Sequence, residues 1–143
     1  MKNDQIKIYA ASLDSQENIP LYEDRIQAGF PSPAEDFLDS SIDLNKEFIK
    51  NPSSTFFGRV MGDSMNDVGI SNGDLLIIDK SLEPADGKIA VCFLDGEFTV
   101  KQIELRDDVC VLWPANANFK PIEVTADNDF IVWGIVVHVI KSF

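Results

Sequence analysis

Two residues in this chain could do covalent chemistry together: Ser64, set in Gly62-Asp63-Ser64-Met65, and Lys101, set in Glu97-Phe98-Thr99-Val100-Lys101-Gln102. A serine hydroxyl becomes a nucleophile beside a base, and a lysine can be that base only where burial strips its proton. Period-two alternation puts Thr99, Lys101, Ile103 and Leu105 on one strand face and Phe98, Val100, Gln102, Glu104 and Arg106 on the other. The lysine shares its face with apolar neighbours, a setting that penalises the charged form of a group whose free pKa is ~10.4. Ser64 follows a strand-like run and lies beside Gly62, at a strand-to-turn corner where a hydroxyl is exposed and backbone N–H groups can face a developing oxyanion. Each residue also has a plain structural reading. Ser64 or Asp63 can cap the turn that starts at Met65, and a strand-edge lysine can pack its stem while its ammonium reaches water. Upstream, Ala28-Gly29 offers a bond such a pair could cut, although alone it reads as an ordinary linker dipeptide.

Rival catalytic sets are thin. The only histidine, His138, lies in Val136-Val137-His138-Val139-Ile140, where a lone histidine is more often structural, and a Ser-His-Asp triad would have to run through it. Asp63, Asp67, Asp74 and Asp79 sit where turns and strand ends collect aspartate as solvated or capping groups. No clustered His/Cys set suggests a metal and no glycine loop cradles a phosphate, so neither metal nor cofactor is expected. Cys92 and Cys110 fall in apolar strand-like runs without CxxC spacing and read as buried free thiols of a reducing compartment.

The elements that must position the pair are mostly strands. Strand signals run over Thr55 to Met61, Leu75 to Asp79, Lys88 to Leu94, Glu97 to Arg106, Val109 to Trp113, Ile122 to Thr125 and Phe130 to Ile140. Asp95-Gly96 is a two-residue hairpin turn between two of them, and Asp107-Asp108 makes another. Residues 1–31 show no sustained period and include Pro20, Gly29 and Pro31, which reads as an extended N-terminal arm. Ser32-Pro33-Ala34-Glu35 looks like a capping box, with Phe37, Leu38 and Ile42 as the apolar side of a short helix. The spacing therefore predicts a mainly β protein: a compact, partly closed β structure over residues 32–143, with the arm of 1–31 and the short helix outside it. Phe130 to Val137 is apolar on both strand faces, which predicts burial on both sides, within the chain or between subunits.

Composition narrows the function. The 143 residues are 45% hydrophobic and 25% charged, enough for one domain with a core of its own. Twelve basic against 24 acidic residues give a formal net charge of -12, which repels phosphate backbones and argues against direct nucleic-acid binding. Phe56-Phe57 and Trp133 then read as core rather than base-stacking platforms. The longest apolar stretch falls short of the ~20 residues of a membrane helix, and the amino terminus lacks a signal pattern, so a soluble, unexported, cytoplasmic protein is expected.

Taken in order, Gly62-Asp63-Ser64-Met65, Gly73-Asp74-Leu75-Leu76, Asp95-Gly96-Glu97-Phe98-Thr99-Val100-Lys101 and Gly134-Ile135-Val136 resemble the LexA/UmuD group of Ser-Lys self-cleaving proteins. Gln27-Ala28-Gly29-Phe30-Pro31-Ser32-Pro33 with Ile42-Asp43-Leu44-Asn45 is similar to the SOS mutagenesis accessory branch of that group, and the resemblance covers residues 20 to 141. It implies the β fold of the group's C-terminal domain. It also implies that Ser64 attacks the carbonyl of Ala28 after passing its proton to neutral Lys101, that Gly29 leaves as a new amino terminus, and that the N–H groups of Ser64 and Asp63 stabilise the oxyanion. The implied partners are a second copy in a homodimer, a RecA filament on single-stranded DNA as the trigger, and a UmuC-like polymerase that the trimmed form joins in translesion synthesis.

Two other classes compete. A LexA-like repressor fragment would need a DNA-reading domain before the cut, yet residues 1–28 hold Lys2, Lys7 and Arg25 against Asp4, Asp14, Glu17, Glu23 and Asp24, a short and acidic arm. A non-catalytic polymerase accessory protein, with the Ser-Lys pair as a relic, is separated from the self-cleaving reading by whether the purified chain shortens at alkaline pH.

Overall fold

The computed structural model of the chain describes residues 5–12, 18–22 and 38–143, which fall into two compact units, one of residues 1–11 with 51–143 and one of residues 12–50. The larger unit is an eight-stranded antiparallel sheet. Its strands are β1 (Gln5–Ala10), β4 (Thr55–Met61), β5 (Leu75–Asp79), β6 (Ile89–Leu94), β7 (Glu97–Leu105), β8 (Cys110–Trp113), β9 (Ile122–Val124) and β10 (Phe130–Ile140), in the order β1-β4-β5-β10-β6-β7-β8-β9. The sheet is open at β1 and β9 but curls until β1 packs against β7. Two apolar clusters fill it. Ile6, Val60, Met65, Ile70, Leu76, Ile78, Val91 and Val100 form one, and Ala90, Cys92, Ile103, Leu112 and Ile135 the other. β7 supplies Val100 to the first and Ile103 to the second, as its alternation requires, so it is buried on both faces and holds its side chains rigidly.

The strands from Thr55 onward follow the alternation and turn signals of the sequence. Asp95 and Gly96 both take positive φ (49° and 89°), the twist that a two-residue hairpin needs. Arg106 and Val109 exchange backbone hydrogen bonds across Asp107-Asp108, closing the second hairpin. Gly58 of β4 leaves room for the Ile6 side chain of β1: a Cβ there would stand 2.3 Å from Ile6 Cδ1, so a larger residue would displace that side chain.

The structure differs from the sequence reading in three places. Gln5–Ala10 is a strand in register with β4, from Gln5 opposite Met61 to Ala10 opposite Phe56. Its signal was there in Ile6 and Ile8 alternating with Lys7 and Tyr9, but it is too short to stand out. In the smaller unit, Leu38 and Ile42 lie in a strand, β3 (Leu38–Asp43), paired with β2 (Asn18–Tyr22), rather than in a helix; residues 32–37, the proposed capping box, lie outside the described residues. A four-residue spacing satisfies periods of 3.6 and 2 alike, and strand pairing decided between them. The one α-helix among the described residues, α1 (Leu44–Phe48), follows instead, capped by Asp43, whose carboxylate accepts the N–H of Asn45 at 3.0 Å. Finally, β10 is buried only at its centre, around Gly134 and Ile135, where it lies between β5 and β6; Ile131 is 54% exposed and Val137, Val139 and Ile140 also face outward. No helix among the described residues is long and apolar enough to cross a membrane.

Candidate active site

β4 ends at Met61, and the chain turns sharply through Gly62, whose φ of 113° is open to glycine without strain. The Gly62 N–H donates to Asn72 Oδ1 at 2.9 Å, fixing the start of the corner. The Asp63 carbonyl then accepts two hydrogen bonds, from the Asn66 N–H at 3.2 Å and from Asn116 Nδ2 at 2.8 Å. Met65 anchors the far side: its side chain is buried in the first cluster, and its carbonyl accepts from the N–H groups of Val68 and Ile70. The segment after β8 braces this turn again, with the Asp67 N–H donating to Ala115 O at 2.6 Å and the Ala115 N–H to Met65 Sδ at 3.4 Å. Ser64 is thus held in a corner clamped from two sides. The sequence predicts an exposed hydroxyl there, but the clamping leaves Ser64 only 1% exposed.

Lys101 enters from β7, opposite Ala90 of β6, and is 5% exposed. Its Nζ stands 2.9 Å from Ser64 Oγ, 2.8 Å from Thr99 Oγ1 and 3.1 Å from the Val100 carbonyl oxygen. A neutral amine has two N–H donors and one lone pair. Val100 O and Thr99 Oγ1 can take two such donors, and the Ser64 hydroxyl stands within the hydrogen-bond reach that a general base needs. Cys92, across the β6–β7 ladder from Thr99, reports on the same interior: burial, then the neighbouring Cys110, push its thiol up to about 12, with Lys101 acting the other way. Cys92 and Cys110 are both free thiols, but only Cys92 is buried as the sequence predicts; Cys110, at the start of β8, is half-buried.

A cleft of about 590 Å³ is lined by Lys101 and Thr99 together with Leu94, Phe119 and Ile122. An apolar lining that includes a nucleophile's partner suits an extended peptide with small residues at the reacting bond. Ala28 and Gly29 lie outside the described residues.

The other sequence candidates have other partners. Asp74 accepts from the Ser71 N–H at 2.8 Å and pairs with Lys141. Asp79 accepts from Asn51 Nδ2 at 2.7 Å, Ser54 Oγ at 3.0 Å and both the N–H and Oγ of Ser81. Burial pushes the Asp79 carboxyl up, and these hydrogen bonds outweigh it and hold the group below its ordinary value. Asp63 contributes its backbone carbonyl and Asp67 its N–H to the corner. His138 stands in β10 opposite Ile77 of β5, with β6 between β10 and β7. Three groups at the site escaped the sequence reading of roles: Thr99, Asn72 and Asn116. Thr99 was legible as Lys101's neighbour on one strand face, whereas Asn116 lies 53 positions from Asp63, and nothing local links them.

The chain is similar to known proteins over most of its length. A family model described as Peptidase S24-like matches residues 20–137. Protein ImpA of Salmonella typhimurium is 44% identical over 121 residues, covering 85% of this chain and 82% of the relative. Protein MucA of Escherichia coli is 39% identical over 136 residues, covering 94% and 92%. Protein SamA of Salmonella typhimurium strain LT2 is 44% identical over 107 residues, covering 75% and 76%. Matches of this extent, on a mainly β fold that sets a serine against a lysine, mean that the chain belongs to the peptidase S24-like family of serine peptidases, in its UmuD-like group of SOS mutagenesis proteins.

Proposed function

We propose that this protein cuts its own chain between Ala28 and Gly29, with Ser64 as nucleophile and Lys101 as general base. The observation that carries the reading is the 2.9 Å separation of Ser64 Oγ and Lys101 Nζ, both buried, with Lys101 lining an open cleft. Lys101 takes the Ser64 proton as Oγ bonds to the carbonyl carbon of Ala28, and the carbonyl electron pair moves onto oxygen. The N–H groups of Ser64 and Asp63 stabilise that oxyanion. As the oxyanion collapses, the C–N bond breaks and the Lys101 ammonium returns the proton to the Gly29 nitrogen. Water then gives a proton to Lys101 and its oxygen to the Ala28 acyl carbon, the ester bond from that carbon to Ser64 Oγ breaks, Lys101 returns the proton to Ser64, and residues 1–28 end in a new carboxylate.

In the same reading, cutting is triggered by a RecA filament on single-stranded DNA, which favours the cleavable arrangement by binding it more tightly. The trimmed chain then serves as a subunit of a UmuC-like translesion polymerase. The net charge of -12 supports contact with the filament's protein surface rather than with DNA. The exposed apolar residues Ile131, Val137, Val139 and Ile140 of β10 support a homodimer. The deciding experiment is incubation of the purified protein at alkaline pH, followed by mass spectrometry. A chain beginning at Gly29, absent from Ser64→Ala, is expected; identical products from that variant would refute the mechanism.

A further inference from the structure

The peptide unit joining Asp63 to Ser64 carries two groups of different use. Its carbonyl oxygen belongs to Asp63 and its N–H to Ser64, and with no cis peptide bond among the described residues the two point in opposite directions. Whatever fixes the carbonyl therefore aims the N–H. Two donors converge on that carbonyl, the Asn66 N–H at 3.2 Å and Asn116 Nδ2 at 2.8 Å. The Asn66 bond is the ordinary closure of a tight turn. The Asn116 bond is not local; it comes from the segment after β8 and has a side chain devoted to it.

Asn116 is itself held in one orientation. Its Oδ1 accepts the Asn118 N–H at 3.0 Å and its backbone carbonyl accepts the Phe119 N–H at 3.1 Å. With the carboxamide oxygen occupied on one side, the amide nitrogen is left facing Asp63 O. An acceptor that takes two hydrogen bonds is polarised, and polarisation strengthens the N–H at the other end of the same peptide unit.

We infer that Asn116 is a positioning residue for self-cleavage, aligning and polarising the Ser64 N–H that receives the oxyanion by holding the Asp63 carbonyl from behind. The inference rests on the self-cleaving reading above. Asn116 bonds to the Asp63 carbonyl, on the peptide unit that carries the Ser64 N–H, so its loss acts on charge stabilisation rather than on the base.

Two substitutions separate these effects. Asn116→Asp keeps the acceptor used by the Asn118 N–H and replaces only the donor, placing a carboxylate oxygen against the Asp63 carbonyl. Asn116→Ala removes the donor without adding charge. Removing a direct oxyanion donor costs ~10²–10³ in rate, so a group acting one bond further back should cost ~10–100-fold, with Asn116→Asp the slower of the two. First-order rates of cleavage of the full chain, followed by mass spectrometry across pH, and thermal unfolding of each variant are the measurements. Rates down at least tenfold, with the Asn116→Ala pH midpoint unmoved and both variants melting within a few degrees of the parent, are expected. Rates less than tenfold below the parent would overturn the assignment, as would a slow Asn116→Ala whose midpoint moves, because that places the effect at Lys101. Failure of the parent chain to cut, or cutting by Ser64→Ala, would instead overturn the self-cleaving reading and this inference with it.

Discussion

Lys101 Nζ lies 2.8 Å from Thr99 Oγ1, two residues back on the same face of β7, so the strand that carries the amine also dictates where the amine points. Threonine is stiff at χ1 because it branches at Cβ, which makes it a fixed acceptor for a long, flexible neighbour. The same hydrogen bond has an electrostatic cost for catalysis. An oxygen acceptor binds an ammonium more strongly than a neutral amine and so favours the protonated form.

Thr99→Val, nearly the same shape without the oxygen, should therefore have two effects on self-cleavage. The maximal rate should fall about tenfold as Nζ loses its guide. The rising limb of the pH profile should move to lower pH, by up to about one unit, as the protonated lysine loses a partner. A profile displaced to higher pH would contradict this account.

In the parent chain, cleavage without an activator should climb about tenfold per pH unit until Lys101 is mostly neutral, then level off. Lys101→Ala should abolish both the activity and the slope. Timed mass spectrometry from neutral to alkaline pH measures it, and a flat parent profile would point to another base, with His138 the next to replace.

Asp79 staples the end of β5 to the segment entering β4. Its folded carboxyl sits below the ordinary value of 3.8, so the unfolded chain takes up the proton first as pH falls. The stabilisation is fully present above that value and fades as pH drops through the folded one. Asp79→Ala should cost about 2–4 kcal/mol at neutral pH, since several charge-assisted hydrogen bonds are lost, and less below pH 3. Urea unfolding at both pH values measures the difference; equal losses at both would show that packing, not charge, is at stake.

With its thiol pushed up to about 12, Cys92 should be almost entirely protonated at pH 8, with about one thiolate in ten thousand molecules. The folded protein should release colour from a thiol reagent through Cys110 alone, and slowly, because burial raises that thiol as well. A second equivalent should appear only in denaturant. Fast reaction of both thiols in buffer would mean that the interior beside Lys101 is wetter than its burial indicates.

How much of this was legible in the sequence follows from the range of the forces involved. The strands from Thr55 onward are written in two-residue alternation and in Asp-Gly, both local signals, and β7's alternation alone puts Lys101 and Thr99 on one face. The meeting of Lys101 with Ser64 came from the chemistry of the two residue types and from family resemblance, since 37 positions separate them. The burial of Ser64 was not legible. It depends on Asn72 and the segment after β8 closing over the corner, contacts set by the curl of the sheet. β1 alternates over too few residues to stand out, and the four-residue spacing of Leu38 and Ile42 in β3 fits either period.

β1 belongs to the part of the chain ahead of Ala28, yet it is hydrogen-bonded along β4 and buries Ile6 in the same cluster as Met65. Breaking the peptide bond would therefore nick the molecule before it shortened it. The first 28 residues could depart only by peeling β1 away from β4 and β2 away from β3, so the scission event and the loss of the fragment are separate steps, each with its own rate. A gel run under denaturing conditions records the first; only a native separation records the second.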